Sequence, residues 1–252
     1  MKPVLFKIFN KEIYGYGTMI AIGILSAILL LNYRIKDKKY NEEHVFNMII
    51  AGILSGVLGG KLLYIITEFK YIIQDPSSIL KDFGYGFVIY GATIGGALGV
   101  YLYCRKRKWN TLEMFDLIIP SVALAQGFGR IGCFLAGCCY GRATTLPIGV
   151  DFTNSPFVTP GILRHPTQIY SSIFDFLLAA FLIWYSKRNK NAGRVFALYV
   201  IIYGIGRIAI EFLRDDPRGA VGLMSTSQFI SVFTIIIGIV IFNLNRFKSK
   251  LT

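Results

Sequence analysis

Seven apolar runs of about twenty residues each, separated by short basic clusters, restrict this chain to very few folds. The runs are Tyr14–Tyr33, His44–Glu68, Phe87–Cys104, a fourth that starts near Phe115, Thr167–Ser186, Val195–Leu213 and Gln228–Asn245. A helix rising about 1.5 Å per residue needs about 20 apolar residues to cross a hydrocarbon core of about 30 Å. The 252 residues are 54% hydrophobic and 16% charged, with a mean hydropathy of +0.55, too apolar for a soluble domain of this length. The expectation is an all-α polytopic membrane protein, one domain over residues 1–252 with seven transmembrane helices. The first run is long and lacks a small-residue cleavage site, so no cleaved signal peptide is expected.

The net charge of +13 sits in clusters between the runs. After an amphipathic start with Lys2, Lys7 and Lys11 come Arg34, Lys36, Lys38 and Lys39, then Arg105-Lys106-Arg107-Lys108, then Lys187, Arg188 and Lys190, and last Arg246, Lys248 and Lys250. Such clusters fit cytoplasmic loops facing anionic lipid, and nucleic acid is not an expected partner. Segments following runs one, three, five and seven hold fifteen Lys and Arg, and the opposite side holds nine. That bias predicts an outside N-terminus and a cytoplasmic C-terminus. Asp75-Pro76-Ser77-Ser78 marks a turn after the second run.

Given that orientation, the polar residues inside the runs fall at one depth. Tyr14 and Tyr16 lie near the outer end of the first run, Tyr90 about one turn into the third, and Arg130 and Cys133 in the outer half of the fourth. His165 opens the fifth, while Arg207 and Glu211 lie in the outer half of the sixth with Arg214 at its rim. A mid-membrane arginine costs about 2.5–3.5 kcal/mol on insertion scales, so each is expected to face protein, water or ligand. Tyr203, Arg207 and Glu211 are spaced four apart on one helical face, where Arg207 and Glu211 can pair. Arg130 has no partner on its own run. An arginine fork matches phosphate oxygens at two points, and a lipid phosphate is the anion at hand at that depth. A tightly packed helix pair with a buried structural arginine is the competing reading.

Gly127–Arg142, GFGRIGCFLAGCCYGR, holds Arg130, three of the four cysteines and five glycines. Gly129, Cys133, Gly137 and Gly141 fall four apart and predict a small-residue face open to a neighbouring backbone or a bulky substrate. The cysteines carry several readings: oxidation, with Cys133–Cys138 or Cys133–Cys139 favoured over the strained vicinal pair; a soft metal; or apolar filler, the default for Cys104 and Cys133. None has zinc-ribbon spacing and no histidine stands close in sequence, so no metal and no cofactor are expected. His165-Pro166-Thr167-Gln168 reads as a helix start with an interfacial histidine.

Taken together, Gly129-Arg130-Ile131-Gly132, Gly141, His165-Pro166-Thr167-Gln168-Ile169-Tyr170 and Tyr203-Gly204-x-x-Arg207-x-x-x-Glu211-Phe212-x-Arg214 resemble the prolipoprotein diacylglyceryl transferases. Tyr16-Gly17, Gly59-Gly60-Lys61 and Ser227-Gln228 fit as well, so the resemblance covers nearly the whole chain in order. It implies an enzyme of the bacterial plasma (inner) membrane, with its site towards the outer leaflet. The reaction moves the diacylglyceryl group of phosphatidylglycerol to the lipobox cysteine thiol of a prolipoprotein signal peptide and releases glycerol phosphate. The resemblance implies Arg130, Arg207, Glu211, Tyr90 and Tyr16 as catalytic, with Gly91, Cys133, Gly141, His165, Gln168, Tyr203 and Arg214 also lining the substrate. Arg130 and Arg207 would hold the phosphate, Glu211 would orient Arg207, Tyr16 would position the headgroup, and Gly141 would leave room for acyl chains. The protein is expected to act as a monomer.

Five positions depart from the family pattern. Tyr90-Gly91-Ala92 stands where a histidine and two glycines are usual, Cys133 replaces an asparagine, Cys138 an acidic residue, and Ser171 a glutamate. The base is therefore open among Tyr90, His165, Glu211 and the substrate thiol ionising beside the arginines. A lipid-headgroup transferase with another acceptor is the alternative enzyme. A lipid or anion transporter is the non-enzymatic one, although only Glu113 and Asp116 line a path to the inner face.

Overall fold

Helices take up most of the chain in the computed structural model, which describes residues 3–9, 11–36, 40–74, 77, 86–153, 155, 157–216 and 219–248. Lys2, Lys38, Lys39, Asp75, Pro76, Ser78 and Lys250 lie outside the described residues. The long helices are α1 (Gly15–Ile35), α2 (Glu42–Thr67), α4 (Ile89–Arg107), α5 (Thr111–Ala136), α6 (Thr167–Arg188), α7 (Arg194–Glu211) and α8 (Thr226–Lys248), with a short α3 (Phe69–Gln74) after α2. Each follows one of the apolar runs to within a few residues. Among the described residues, α1, α2, α5, α6 and α8 are long and apolar enough to cross a membrane. The chain is thus an all-α membrane protein. The other two long helices are less apolar for visible reasons: α4 carries four glycines and three terminal basic residues, and α7 holds Arg194, Arg207 and Glu211 in eighteen residues.

The helix ends follow local chemistry. Asn41 caps α2 through Oδ1, which accepts from the Glu43 and His44 amides, and Asn110 does the same for Leu112 and Glu113 at the start of α5. Arg105, Lys106 and Arg107 sit in the last turn of α4, where cations favour the dipole, and Lys108 closes it at φ 57. The amphipathic start is an antiparallel hairpin of β1 (Val4–Ile8) and β2 (Lys11–Tyr14), braced by Lys7 and Glu12 at 2.8 Å. Two smaller hairpins join β3 (Val150–Asp151) to β4 (Leu163–Arg164) and β5 (Ala220–Val221) to β6 (Met224–Ser225).

The chain divides into two units, residues 35–114 and the remainder. In the first, α2 and α4 pack glycine against glycine. A β-carbon on Gly59 would strike the Gly91 carbonyl, one on Gly91 the Gly59 carbonyl, and one on Gly95 the Ser55 carbonyl. Small residues let two helix backbones approach where lipid supplies no hydrophobic force. Cys104 is buried with its Sγ 3.6 Å from Met48 Sδ, an apolar filler as its composition suggests.

In the second unit, α5, α6 and α7 share a core of Ile119, Ala123, Leu178, Ala179, Leu182, Val195 and Tyr199. Asp116 caps α7, accepting at 2.7 Å from both the Gly193 and Phe196 amides, and Arg34 donates to its carbonyl. One of the two carboxylates expected along an inner transport path, Asp116, is thus committed to a helix start.

Candidate active site

Arg130 is on α5 and Arg207 on α7, and both line one cavity of about 450 Å³ between α5, α6 and α7. Its wall is mostly apolar, with Phe174, Ile202 and Ile210 prominent, and Tyr203 joins the two arginines. Glu211 is one turn beyond Arg207, its Oε2 3.3 Å from Arg207 Nη2, which also donates to Ser227 Oγ at 3.0 Å. The predicted i,i+4 pair is therefore formed. Arg207 Nη1 is buried with no hydrogen-bond partner among the described residues. A buried donor left open in this way is costly unless a ligand takes it. Tyr203 stacks on Tyr199 with centroids 5.4 Å apart, and Tyr199 donates to Gln126 Oε1 at 2.8 Å, fixing this wall.

Asp175 also lines the cavity and escaped the reading of the sequence. It is 1% exposed, its Oδ2 lacks a hydrogen-bond partner among the described residues, and it lies in electrostatic reach of both Arg130 and Arg207. Inside an apolar run a single aspartate looks like an isolated interruption. Its place one turn after Ser171, on the same helical face, was the signal to follow. Tyr16, on α1, faces Gly132 of α5 and lies in electrostatic reach of Arg130 and the three cysteines.

Gly137, at φ 74, terminates α5 after Ala136, so the four-apart row of small residues does not continue as a helical face. Only Gly129 and Cys133 share one. Beyond them the chain turns, and Cys139 takes φ 65, a left-handed conformation rare for a residue with a side chain. The start of α6 holds this turn in place: Gln168 Nε2 donates to the Cys138 carbonyl at 2.6 Å and Thr167 Oγ1 to the Cys139 carbonyl at 2.7 Å. The Sγ atoms of Cys133, Cys138 and Cys139 all lie within 4.8 Å of one another, and the thiols are free. The thiols share their interactions, so one is favoured as thiolate only at its neighbour's expense: contacts with Cys133 and Cys138 pull the Cys139 thiol down against burial, with Arg214 and Arg130 adding to the effect, and contacts with Cys133 and Cys139 push the Cys138 thiol up.

Gly141 is where three segments meet. Its amide donates to the His165 carbonyl, the next amide donates to Leu213, and a β-carbon would fall 2.7–2.8 Å from His165 and the Leu213 carbonyl. Packed backbone fills the space beside its α-carbon. His165 Nδ1 lies 3.2 Å from the Tyr170 hydroxyl. Arg214 is engaged by Asp216 at 2.9 and 2.7 Å, which with Cys139 outweighs burial and holds the guanidinium above its ordinary pKa. Arg164, also missed, ties the same rim together by pairing with Asp215 at 2.8 Å and lying over the Tyr140 ring at 5.0 Å. Tyr90 and Gly91 are in the other unit, as the second and third residues of α4, with Gly91 buried against Gly59.

A family model described as "Prolipoprotein diacylglyceryl transferase" matches residues 3–244. A Clostridium tetani protein named phosphatidylglycerol–prolipoprotein diacylglyceryl transferase is 68% identical over 250 residues, covering 99% of this chain and 100% of its own. A Clostridium perfringens protein with the same name and the number 2 is 56% identical, covering 99% and 98%. One from Dehalococcoides mccartyi is 34% identical, covering 98% and 95%.

Proposed function

The chain belongs to the prolipoprotein diacylglyceryl transferase family, and from that footing we infer that it moves the diacylglyceryl group of phosphatidylglycerol onto the lipobox cysteine of prolipoproteins. A sulfur–carbon bond forms at the glyceryl carbon as its carbon–oxygen bond to phosphate breaks. Glycerol phosphate leaves with the electron pair. The observation that carries the site assignment is the shared cavity, in which Arg130 and the open Nη1 of Arg207 present cations to one mostly apolar space. A lipid needs that combination: acyl chains against the isoleucines and phenylalanine, phosphate against the guanidiniums. Fixed cations stabilise the charge that develops on the departing phosphate without reorganising.

In this reading Glu211 and Asp175 are positioning residues. Glu211 fixes the Arg207 fork, and Asp175 offsets the repulsion between two arginines facing one space. Tyr16 and Tyr203 border the headgroup, and the Gln168 clasp shapes the turn beyond α5. The enzyme works as a monomer with seven spans, α4 and α7 completing the set. Its N-terminus is outside, its C-terminus cytoplasmic, and its site in the outer leaflet, where phosphatidylglycerol meets the signal peptide. The excess of basic residues on the opposite loops supports this orientation.

The experiment is transfer of labelled diacylglyceryl from phosphatidylglycerol to a lipobox peptide by purified protein. Thioether formation is expected. Failure of wild type beside an active Clostridium tetani relative overturns the reading, and labelling of a different acceptor in whole-membrane extracts replaces it with the alternative enzyme.

A further inference from the structure

We propose that Cys133, Cys138 and Cys139 form a three-thiolate site for a soft d10 cation of the zinc class, with a fourth position open to the acceptor thiol. The second half of this inference rests on the transferase reading above. Three Sγ atoms within 4.8 Å of one another, drawn from a helix end and the turn after it, surround one point. Zinc–sulfur bonds of about 2.3 Å in a tetrahedron put sulfurs about 3.8 Å apart, so modest side-chain rotation closes the site. The turn is held for this geometry: Gln168 and Thr167 clasp the Cys138 and Cys139 carbonyls, and Cys139 keeps its left-handed backbone. Such strain persists only where the surroundings enforce it, and it clusters at functional sites.

The surroundings suit the charge. Three thiolates around a divalent ion leave one net negative charge, and Arg130 and Arg214 both lie in electrostatic reach of Cys139. All three cysteines are partly accessible, which provides an entry path. Three protein ligands with an open fourth position is the composition of a catalytic zinc site, whereas a structural site closes all four. Among the described residues no histidine or carboxylate joins the group.

The chemistry answers the missing histidine on α4. The acceptor thiol binds at the open position and gives its proton to water, since a metal-bound thiol is deprotonated outright. Its sulfur then attacks the glyceryl carbon of the lipid held by Arg130. The carbon–oxygen bond breaks towards phosphate, and the thioether product, a poorer ligand, leaves. The metal keeps its oxidation state, so neither oxidant nor reductant is consumed. Arg130 precedes Cys133 by three residues on one helical face, so phosphate holder and thiol activator are neighbours.

The test uses reduced full-length protein in detergent, titrated anaerobically with Co(II) and followed by its sulfur charge-transfer and d–d absorption. One Co(II) per chain, displaced by Zn(II), is expected. Cys133→Ser and Cys138→Ser weaken binding by more than the about 10- to 100-fold typical of losing an outer-shell partner, and Cys104→Ser leaves it unchanged. A lipobox peptide shifts the d–d bands, and the same peptide with serine for cysteine does not. Thermal unfolding of the metal-free variants, matched to metal-free wild type, shows that they fold. Absent thiolate bands in wild type overturn the site, and bands indifferent to the cysteine peptide overturn the open position. Transfer that survives chelation at full rate overturns the catalytic role and leaves the reaction standing. Absence of transfer in both metal-loaded and metal-free protein overturns the reaction, while the Co(II) spectrum still decides the site.

Discussion

The α2–α4 contact and the cavity between α5, α6 and α7 solve opposite problems with the same membrane vocabulary. In the first, Gly59, Gly91 and Gly95 bring two backbones together until no β-carbon fits between them. In the second, bulky apolar side chains hold three helices apart around two arginines and an aspartate. Among the described residues, close glycine packing leaves no space and no buried unmet polar group to act on a substrate. The cavity has both. A guanidinium that faces a cavity, with Arg207 Nη1 unpartnered among the described residues, points to function more strongly than one held in a two-point pair, as Arg214 is by Asp216.

The sharpest break of this contrast comes from the cavity side. Arg130→Ala and Arg207→Ala are each expected to lower the transfer rate by at least about a hundredfold, the scale of losing one fixed stabilising donor. Arg207→Lys recovers little, because a point charge cannot make the two-point contact. Steady-state transfer with folded variants checks this, and near-normal rates would remove the arginines from the chemistry. From the packing side, Gly91→Val drives a side chain into the Gly59 carbonyl. It should cost about 1–3 kcal/mol or more, read as a lowered unfolding temperature in detergent.

Asp175→Asn sharpens the comparison by removing a carboxylate while keeping its shape. A fall of about tenfold in kcat, about 1.4 kcal/mol, is expected with unfolding temperature unchanged, and an unaltered kcat would make Asp175 structural. Gln168→Ala frees the Cys138 carbonyl and should destabilise the turn beyond α5 by about 1 kcal/mol, visible as faster alkylation of Cys138 and Cys139. The smallest effect is expected for Tyr90→Phe. Thiol activation at the cysteine site predicts transfer within about twofold of wild type, whereas a large loss would return the base to α4.

Much of this was legible in the residues. Apolar run length placed every long helix, and five of these, among the described residues, have the length and apolarity that a bilayer span requires. The Tyr203, Arg207 and Glu211 face followed from helical spacing alone, and the Arg207–Glu211 pair is formed as spacing predicts. Less visible were features that need two distant segments. The N-terminal hairpin has strands of four and five residues, too short for a periodic signal. The row from Gly129 to Gly141 reads as one helical face only if the helix continues, and Gly137 ends it.

The sequence by itself determined the membrane class, the family and the placing of Arg130 and Arg207 within apolar runs, since these depend on composition, run length and spacing along one chain. Tertiary structure alone decided that Asp175 faces both arginines, that Gly141 is filled by backbone from two other segments, and that three cysteines converge on one point. The reason is geometric. Helical periodicity tells which residues share a face, but which faces meet, and where a turn sends the chain next, is set by contacts between segments far apart in sequence.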